Sequence, residues 1–270
     1  MDHPYLYRKQ YQIGKTGSTD VIEKYFHLIT QNKNEEIAIA DIGSGPGNFT
    51  HDVLITLFKN PIRKIVGIDI SESMVKFANS TYGNEKLSFE VFNVENEVPK
   101  QYISFFDYVF SFFTYHWIKN QRQLFLNINQ MMKPNGQMLF SFVAQSILFD
   151  IYQLVWRRPE YAPYISDVYA GQPCFQKSKE PMKELQTIIE NAGFKLGMIK
   201  MEKVDIRNLS LNDFKEFIIS VNPYYDKMPY HLKEKFILDH LEHVPRDAEV
   251  EGPNNYYLKF NMFVVYAKKK

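Results

Sequence analysis

The sequence predicts an α/β fold: a seven-stranded, mostly parallel sheet whose last strand runs antiparallel, with an α-helical cap inserted over it. Three observations lead there. Short apolar runs alternate with helix-spaced segments along most of the chain, the pattern of parallel strands joined by right-handed crossovers. The first apolar run ends in a glycine-rich turn, "DIGSGPGNF" at 41–49, and such a turn opens a ligand crevice at the carboxyl edge of a parallel sheet. After residue 143 the alternation gives way to a stretch dense in aromatics and proline, "LFDIYQLVWRRPEYAPYISDVYAGQPCF", which reads as an insertion over the sheet.

In chain order, an aromatic, polar arm leads into a helix predicted over 18–29, with Ser18 or Thr19 as its N-cap. Strands are expected at 37–42, 64–68, 87–91, 106–112 and 136–143, separated by helices at 48–58, 71–80 and 121–132. Beyond the insertion come a helix at 179–192, a strand at 194–204, helices at 211–220 and 230–242, and the closing strand at 256–266. No repeat or low-complexity segment interrupts this order. The expected organisation is one domain, 1–270. Residues 1–30 form an arm and helix over the site, 31–143 the ligand-binding core, 144–177 and 205–255 a cap, and 178–204 with 256–270 the rest of the sheet.

Composition narrows the function. The chain has 270 residues, 45% of them hydrophobic, enough for a sizeable core. Its 32 Lys and Arg against 31 Asp and Glu leave a net charge of +1 and no basic stripe, so nucleic acid is not an expected partner. No run approaches the roughly 20 apolar residues of a membrane span, and "MDHPYLYRKQ" lacks the apolar core of a signal peptide. A cytoplasmic protein, monomer or homodimer, is expected. The lone Cys174 excludes an internal disulfide, and preceded by Pro173 it reads as an incidental small hydrophobe. No metal is expected. Aromatics at 16% suit a pocket for an apolar ligand as well as a core.

The glycine turn specifies its ligand by spacing and charge. A dinucleotide fingerprint G-x-G-x-x-G started at Gly43 and Gly45 would place its third glycine at 48, where the chain has Asn48; the third glycine is Gly47. An aspartate, Asp41, at the mouth of the turn would repel a pyrophosphate and attract a cationic ligand. S-adenosylmethionine, with an ammonium and a sulfonium, fits D-x-G-x-G-x-G. Gly43, Ser44, Gly45 and Gly47 allow close main-chain approach, and Asp41 meets the ammonium directly or through water. The second strand ends in Asp69, placed for the ribose hydroxyls, followed by Ile70 and Met74 to sandwich the adenine. The third strand ends at "FEVFNVENE", where Asn93 is set for the adenine amine and Val94 offers its N–H.

The fourth strand and its loop, "FDYVFSFFTYHWIKNQ", should face the donor methyl with Ser111 and Phe112 at the strand end. A Pro-Pro-Tyr signature is absent there, which argues against amide and adenine methylation. His116 and Trp117 instead offer a base or donor beside an indole N–H.

Together, "LYRKQ", the glycine turn, "DISESMVKFAN", the "FDYVFSFFTYHWIKNQ" loop, "FDIYQLVWR", "VNPYY" and "LKFNMFVVYAKK" resemble the juvenile hormone acid O-methyltransferases of insects and their arthropod relatives. The resemblance spans nearly the whole chain. It implies a Rossmann-like class I methyltransferase fold and methyl transfer from S-adenosylmethionine to the carboxylate of a sesquiterpenoid acid such as farnesoic or juvenile hormone acid, with S-adenosylhomocysteine as product. It also implies a carboxylate-binding glutamine in the N-terminal arm; counting from "LYRK" reaches Gly14, and the role is assigned to Gln12, with Gln10 nearby. Asn93 stands where the family often has Asp. A carboxylate acceptor suits the residues, because an acid is already ionised at neutral pH and needs orientation more than a strong base. The expected tunnel for the apolar tail is lined by Phe113, Tyr115, Phe149, Tyr152, Trp156 and Tyr224. Two rival readings remain at this point: a methyltransferase for another acid, an amine or a phenol, and a module that binds the donor without catalysis.

Overall fold

The computed structural model describes residues 4–31, 35–169, 172–246 and 256–270, with the helix backbone alone for 9–16. Strands β1 (Ile37–Ile42), β2 (Ile62–Asp69), β3 (Leu87–Val91), β4 (Phe106–Phe112), β5 (Met132–Ser146), β6 (Phe194–Leu209) and β7 (Tyr256–Lys269) form one sheet in the order β3-β2-β1-β4-β5-β7-β6. β7 runs antiparallel between β5 and β6, and the other pairings are parallel. This is the expected fold class.

Three of the expected strands, β1, β3 and β4, have the bounds read from the sequence. The reason lies in their composition: β1 is buried at every position, as a central parallel strand covered on both faces must be. The last three strands run longer than their apolar runs, because β7 pairs along nearly its full length with both neighbours and extends the ladder into polar residues.

Helices α1 (Pro4–Tyr25), α2 (Asn48–Asp52), α3 (Glu72–Tyr82), α4 (Gln121–Met131), α5 (Ile147–Trp156), α6 (Pro181–Asn191), α7 (Leu211–Val221) and α8 (Tyr230–Leu241) cover the sheet. Two apolar cores result. One, built on Ile39, Phe110 and Leu139, lies under α1, α3, α5, α7 and α8; the other, built on Ala40, Val109 and Phe140, lies under α4 and α6. Alternating strand residues feed the two faces.

The N-terminus corrects the sequence reading. The expected arm is helical from Pro4, so Ser18 and Thr19 lie inside α1 and cap nothing. Its residues have little apolar periodicity of their own; the helix is held by packing on α7 and α3, a tertiary effect that capping signals do not report.

Candidate functional site

The strand order reverses between β1 and β4, and a crevice forms at such a switch point, outside the carboxyl ends of the strands. Here the glycine turn leaves β1 beside the end of β4. The N–H groups of Gly43 and Ser44 donate to the Ile68 carbonyl at 2.6 and 3.1 Å, fastening the turn to β2. A cavity of about 350 Å3 opens from it.

Gly43, Gly45 and Gly47 all have positive φ, at 76°, 53° and 82°, a region that disfavours any Cβ. The space around them differs. A Cβ on Gly43 would stand 1.9 Å from Thr114 Oγ1, and one on Gly47 would stand 2.6 Å from Phe89 Cζ. These two glycines admit the protein's own side chains. At Gly45 the nearest atom, Tyr7 Cε1, is 3.8 Å away, so this glycine leaves room on the cavity side.

Asp41 is buried at the end of β1 and accepts from Thr50 Oγ1 at 2.6 Å. Burial pushes its carboxyl up to about 7, opposed by the Thr50 hydrogen bond and reinforced by the charge of Asp69. A buried carboxylate held that high fits a ligand that brings a cation. The neighbouring Ser44 Oγ is buried without a hydrogen-bond partner among the described residues. A carboxylate lacking a cation, a hydroxyl lacking a partner and an open glycine together fit the amino-acid end of S-adenosylmethionine, and Asp41, Gly43, Ser44 and Gly45 are the residues that would hold it.

Asp69 ties the site together. Its Oδ2 accepts from the Gly45 N–H and its Oδ1 from the Ser71 N–H, both at 2.9 Å. Asp69 thereby fixes the turn against the start of α3, and it is not itself on the cavity wall. Ser71, not Asp69, is the cap of α3, accepting from the Met74 N–H. Ile70 is 67% exposed, a large apolar side chain left in water beside the crevice, whereas Met74 is buried in α3. Asn93 Oδ1 accepts from the Glu95 N–H at 3.0 Å, and the Val94 carbonyl accepts from Asn127 at 2.7 Å. Ser111 is fully buried, its hydroxyl donating to the Ile42 carbonyl at 2.7 Å. It clamps β4 to β1 and is not on the cavity wall, which corrects its expected place; Phe112 is on the wall.

Beyond Phe112 the cavity crosses the sheet, along rows that the strand register defines. Val143 of β5 pairs with Met262 of β7, which pairs with Glu202 of β6; Ser146, Phe260 and Val204 form the next row, and Leu258 and Ile206 a third. All of these line the cavity. From β1 to β6 there are four strand spacings, about 19 Å. Leu148, Phe149, Phe217 and Val221 roof this part. It is apolar apart from its far end.

His116 and Trp117 stand where the two parts meet, in a 3-10 turn (Tyr115–Trp117) after β4. Their rings are 4.9 Å apart, and both contact Phe149 at 6.0 Å. His116 is buried, its Nδ1 has no partner among the described residues, and burial lowers it to about 3. It is neutral at physiological pH, which suits a hydrogen-bond donor and makes it a poor base. Phe113, just before, has φ 54° and packs its ring where Gly17 lacks a Cβ; a Cβ there would be 2.7 Å from Phe113 Cζ. A non-glycine residue held in this region signals a constrained loop.

Four expected tunnel residues lie elsewhere. Tyr115 packs on the opposite face of the sheet, against Phe125, Phe140 and Phe142. Tyr152 and Trp156 stack on one another 4.9 Å apart beneath α8, and Tyr224 packs edge-on to Trp156. None of the four reaches the cavity wall. Tyr115 is core of the other face of the sheet, and Tyr152, Trp156 and Tyr224 belong to the same apolar core as Phe149 but lie beyond the wall that it forms. The side chain of Gln12 lies outside the described residues. Residues the sequence reading missed include Tyr7, Lys24, Glu202 and Met262; no local motif marks them, because three elements far apart in sequence bring them together.

Comparison with known proteins gives the chain's family and fold relatives. Residues 40–140 match a family described as "Methyltransferase domain". In fold, the chain is similar to the YcgJ protein of Bacillus subtilis (TM-score 0.57, 16% identity, 88% of this chain and 93% of that one). It is also similar to phosphoethanolamine N-methyltransferase 2 of Haemonchus contortus, solved with S-adenosylhomocysteine (TM-score 0.52, 16% identity, 94% and 52%). The fold is that of the class I methyltransferases, and the family match together with full-length methyltransferase relatives makes the chain an S-adenosylmethionine-dependent methyltransferase. Within that class it resembles the juvenile hormone acid O-methyltransferases from end to end: it is 29% identical to that of Bombyx mori over 100% of this chain and 98% of the other, and 27% identical to that of Drosophila melanogaster over 100% and 93%. No helix among the described residues is long and apolar enough to cross a membrane, and no cluster of metal-binding side chains occurs among them.

Proposed function

We propose that the protein forms the methyl ester of an apolar carboxylic acid, in particular a sesquiterpenoid acid such as farnesoic or juvenile hormone acid. The observation that carries this reading is the single cavity running from Asp41, Gly43 and Ser44, past His116 and Trp117, into an apolar channel. The full-length likeness to the two insect enzymes supports the acid class.

In this reading Asp41, Ser44 and the glycine turn hold the amino-acid end of the donor, Asp69 the ribose, and Ile70, Met74, Asn93 and Val94 the adenine. When bound, the donor supplies a methyl carbon on a sulfonium, which leaves as the neutral thioether of S-adenosylhomocysteine once a carboxylate oxygen has taken the methyl. The chain's own work is to aim that oxygen. His116, held neutral, and the Trp117 indole donate toward the carboxylate, with Gln12 from α1 as a third donor. Hydrogen bonds to a charged oxygen contribute about 1.5–3 kcal/mol each, and their value lies in direction, since a tighter grip on the ground-state anion would slow the reaction. Phe112, Phe113 and Phe149 keep water out, which strengthens these contacts. The channel binds the tail by burial, about 0.8 kcal/mol per CH2.

The test is a panel of farnesoic acid, juvenile hormone acid, fatty acids, amines and phenols with labelled donor. Methyl esters of the terpenoid acids are expected, with turnover in His116→Asn reduced at least tenfold; at saturating donor, with Asp41 already engaged, the wild-type protein should show no activity limb near pH 6.5, because burial lowers His116 to about 3. Turnover of an amine or phenol with none of any acid would overturn the acid reading. Donor binding without a methylated product across the panel would overturn catalysis.

A further inference from the structure

We propose that Tyr7 is a donor-site residue and that α1, which carries it, walls both ends of the cavity, so that the donor must be seated before the acid. The donor part rests on the fold class alone; the order also rests on the acid reading above.

Tyr7 lines the cavity on the side facing the glycine turn, with its Cε1 3.8 Å from the point where a Gly45 Cβ would stand. Its hydroxyl is in the field of Asp69: burial first, and that charge second, raise it to about 12. Two residues earlier, Tyr5 sets its ring edge-on against Phe77 of α3 at 4.9 Å. The start of α1 therefore clasps the turn and α3, the two elements that frame the nucleoside side of the crevice.

The other end of the same helix walls the channel. Gly17, Ser18, Asp20 and Lys24 line it, Lys24 Nζ pairs with Glu202 of β6 at 3.3 Å, and the Tyr25 hydroxyl donates to Glu202. From Tyr7 to Lys24 the helix runs about 25 Å at 1.5 Å per residue. Moved as one rod, the helix would carry the channel wall with it when its first turn lifts to admit the donor.

The two ends differ in access. At the donor end Tyr7 stands against the turn on the cavity wall with Gly43 and Ser44. At the β6 edge the wall is made of exposed polar groups, with the Lys24 side chain 54% exposed and Lys203 and Asp205 exposed beside it. In the proposed order the acid enters at this edge with α1 in place, and the donor enters past Tyr7, which moves aside with the first turn of the helix.

The experiment uses the full chain. Calorimetry with S-adenosylhomocysteine, well below the melting transition, is expected to give about tenfold weaker binding for Tyr7→Ala and about threefold for Tyr7→Phe, the latter keeping the ring and with it the ligand-free melting temperature. Amide exchange across 4–25 should slow when S-adenosylhomocysteine binds, and its release in stopped flow should slow several-fold under saturating farnesoic acid. Wild-type affinity in Tyr7→Ala would remove Tyr7 from the donor site. Unchanged exchange, or release at the same rate with and without the acid, would overturn the shared wall. Failure of farnesoic acid to bind at all would overturn the acid reading and the order with it, while leaving the calorimetric test of Tyr7 to stand or fall alone.

Discussion

The two ends of the cavity are built in different ways. The donor end comes from neighbouring strand ends: Asp41, Gly43 and Ser44 after β1 and Phe112 after β4 line it, and Asp69 after β2 anchors the turn without lining the cavity. Its polar groups are tied to neighbouring backbone by short hydrogen bonds, as when Asp69 joins Gly45 to Ser71. The channel end comes from β5, β7, β6, α1 and α7, with partners such as Val143, Met262 and Glu202 set side by side by pairing across the sheet. The first is local and polar, the second non-local and apolar. The contrast implies that substitutions at the donor end act through charge and main-chain geometry, and those at the channel end through volume.

The sharpest way to break that contrast is a pair of aromatic truncations on one helix. Trp156 is core and Phe149 is wall, although α5 carries both. Trp156→Ala is expected to destabilise the protein by about 3–5 kcal/mol in chemical denaturation. Phe149→Ala is expected to retain most of the stability and raise the KM for the acid about tenfold with S-adenosylhomocysteine affinity intact. The reverse pattern would place Trp156 in the channel, as its sequence spacing suggests.

Next in size is a pH effect at the donor end. Burial raises Asp41 to about 7, while in the unfolded chain it ionises near pH 4 as carboxylates do. Between those values the folded protein keeps a proton that the unfolded chain has lost, so ligand-free stability falls as pH rises from about 4 to 7 and is level above. Asp41→Asn should flatten that part of the curve, stabilising the ligand-free protein at pH 8 by on the order of 3 kcal/mol while weakening S-adenosylhomocysteine binding. Superimposable curves of melting temperature against pH would show that Asp41 is not the group responsible.

The smallest effect sharpens the account of the channel. The Lys24–Glu202 pair is half exposed, and such pairs are worth about 1 kcal/mol or less. Lys24→Met should therefore change stability by less than that at 0.15 M salt, because α1 is held by apolar packing on α7. A larger loss, relieved by salt, would mean that the wall is closed electrostatically.

What was legible follows the same division. Asp41, Gly43, Ser44 and Phe112 could be placed on the cavity from sequence because a glycine-rich turn after a buried strand has few conformations and few uses. Even there the reasons for the glycines were only half legible: Thr114 and Phe89, distant in sequence, are what forbid a Cβ at Gly43 and Gly47. For the aromatics, spacing alone does not separate wall from core. Phe113, Phe149, Tyr152 and Trp156 are all apolar, all inward, and differ only in depth.

The order of elements, the glycine turn with its carboxylates, and the neutral, aromatic character of the chain were settled by sequence, since each depends on residues near one another along the backbone. The path of the channel, the helix over it, and the division of aromatics between wall and core were settled by tertiary structure. Those depend on β7 pairing between β5 and β6 and on α1 docking against α7, contacts between segments some 60 to 200 residues apart whose geometry no local pattern encodes.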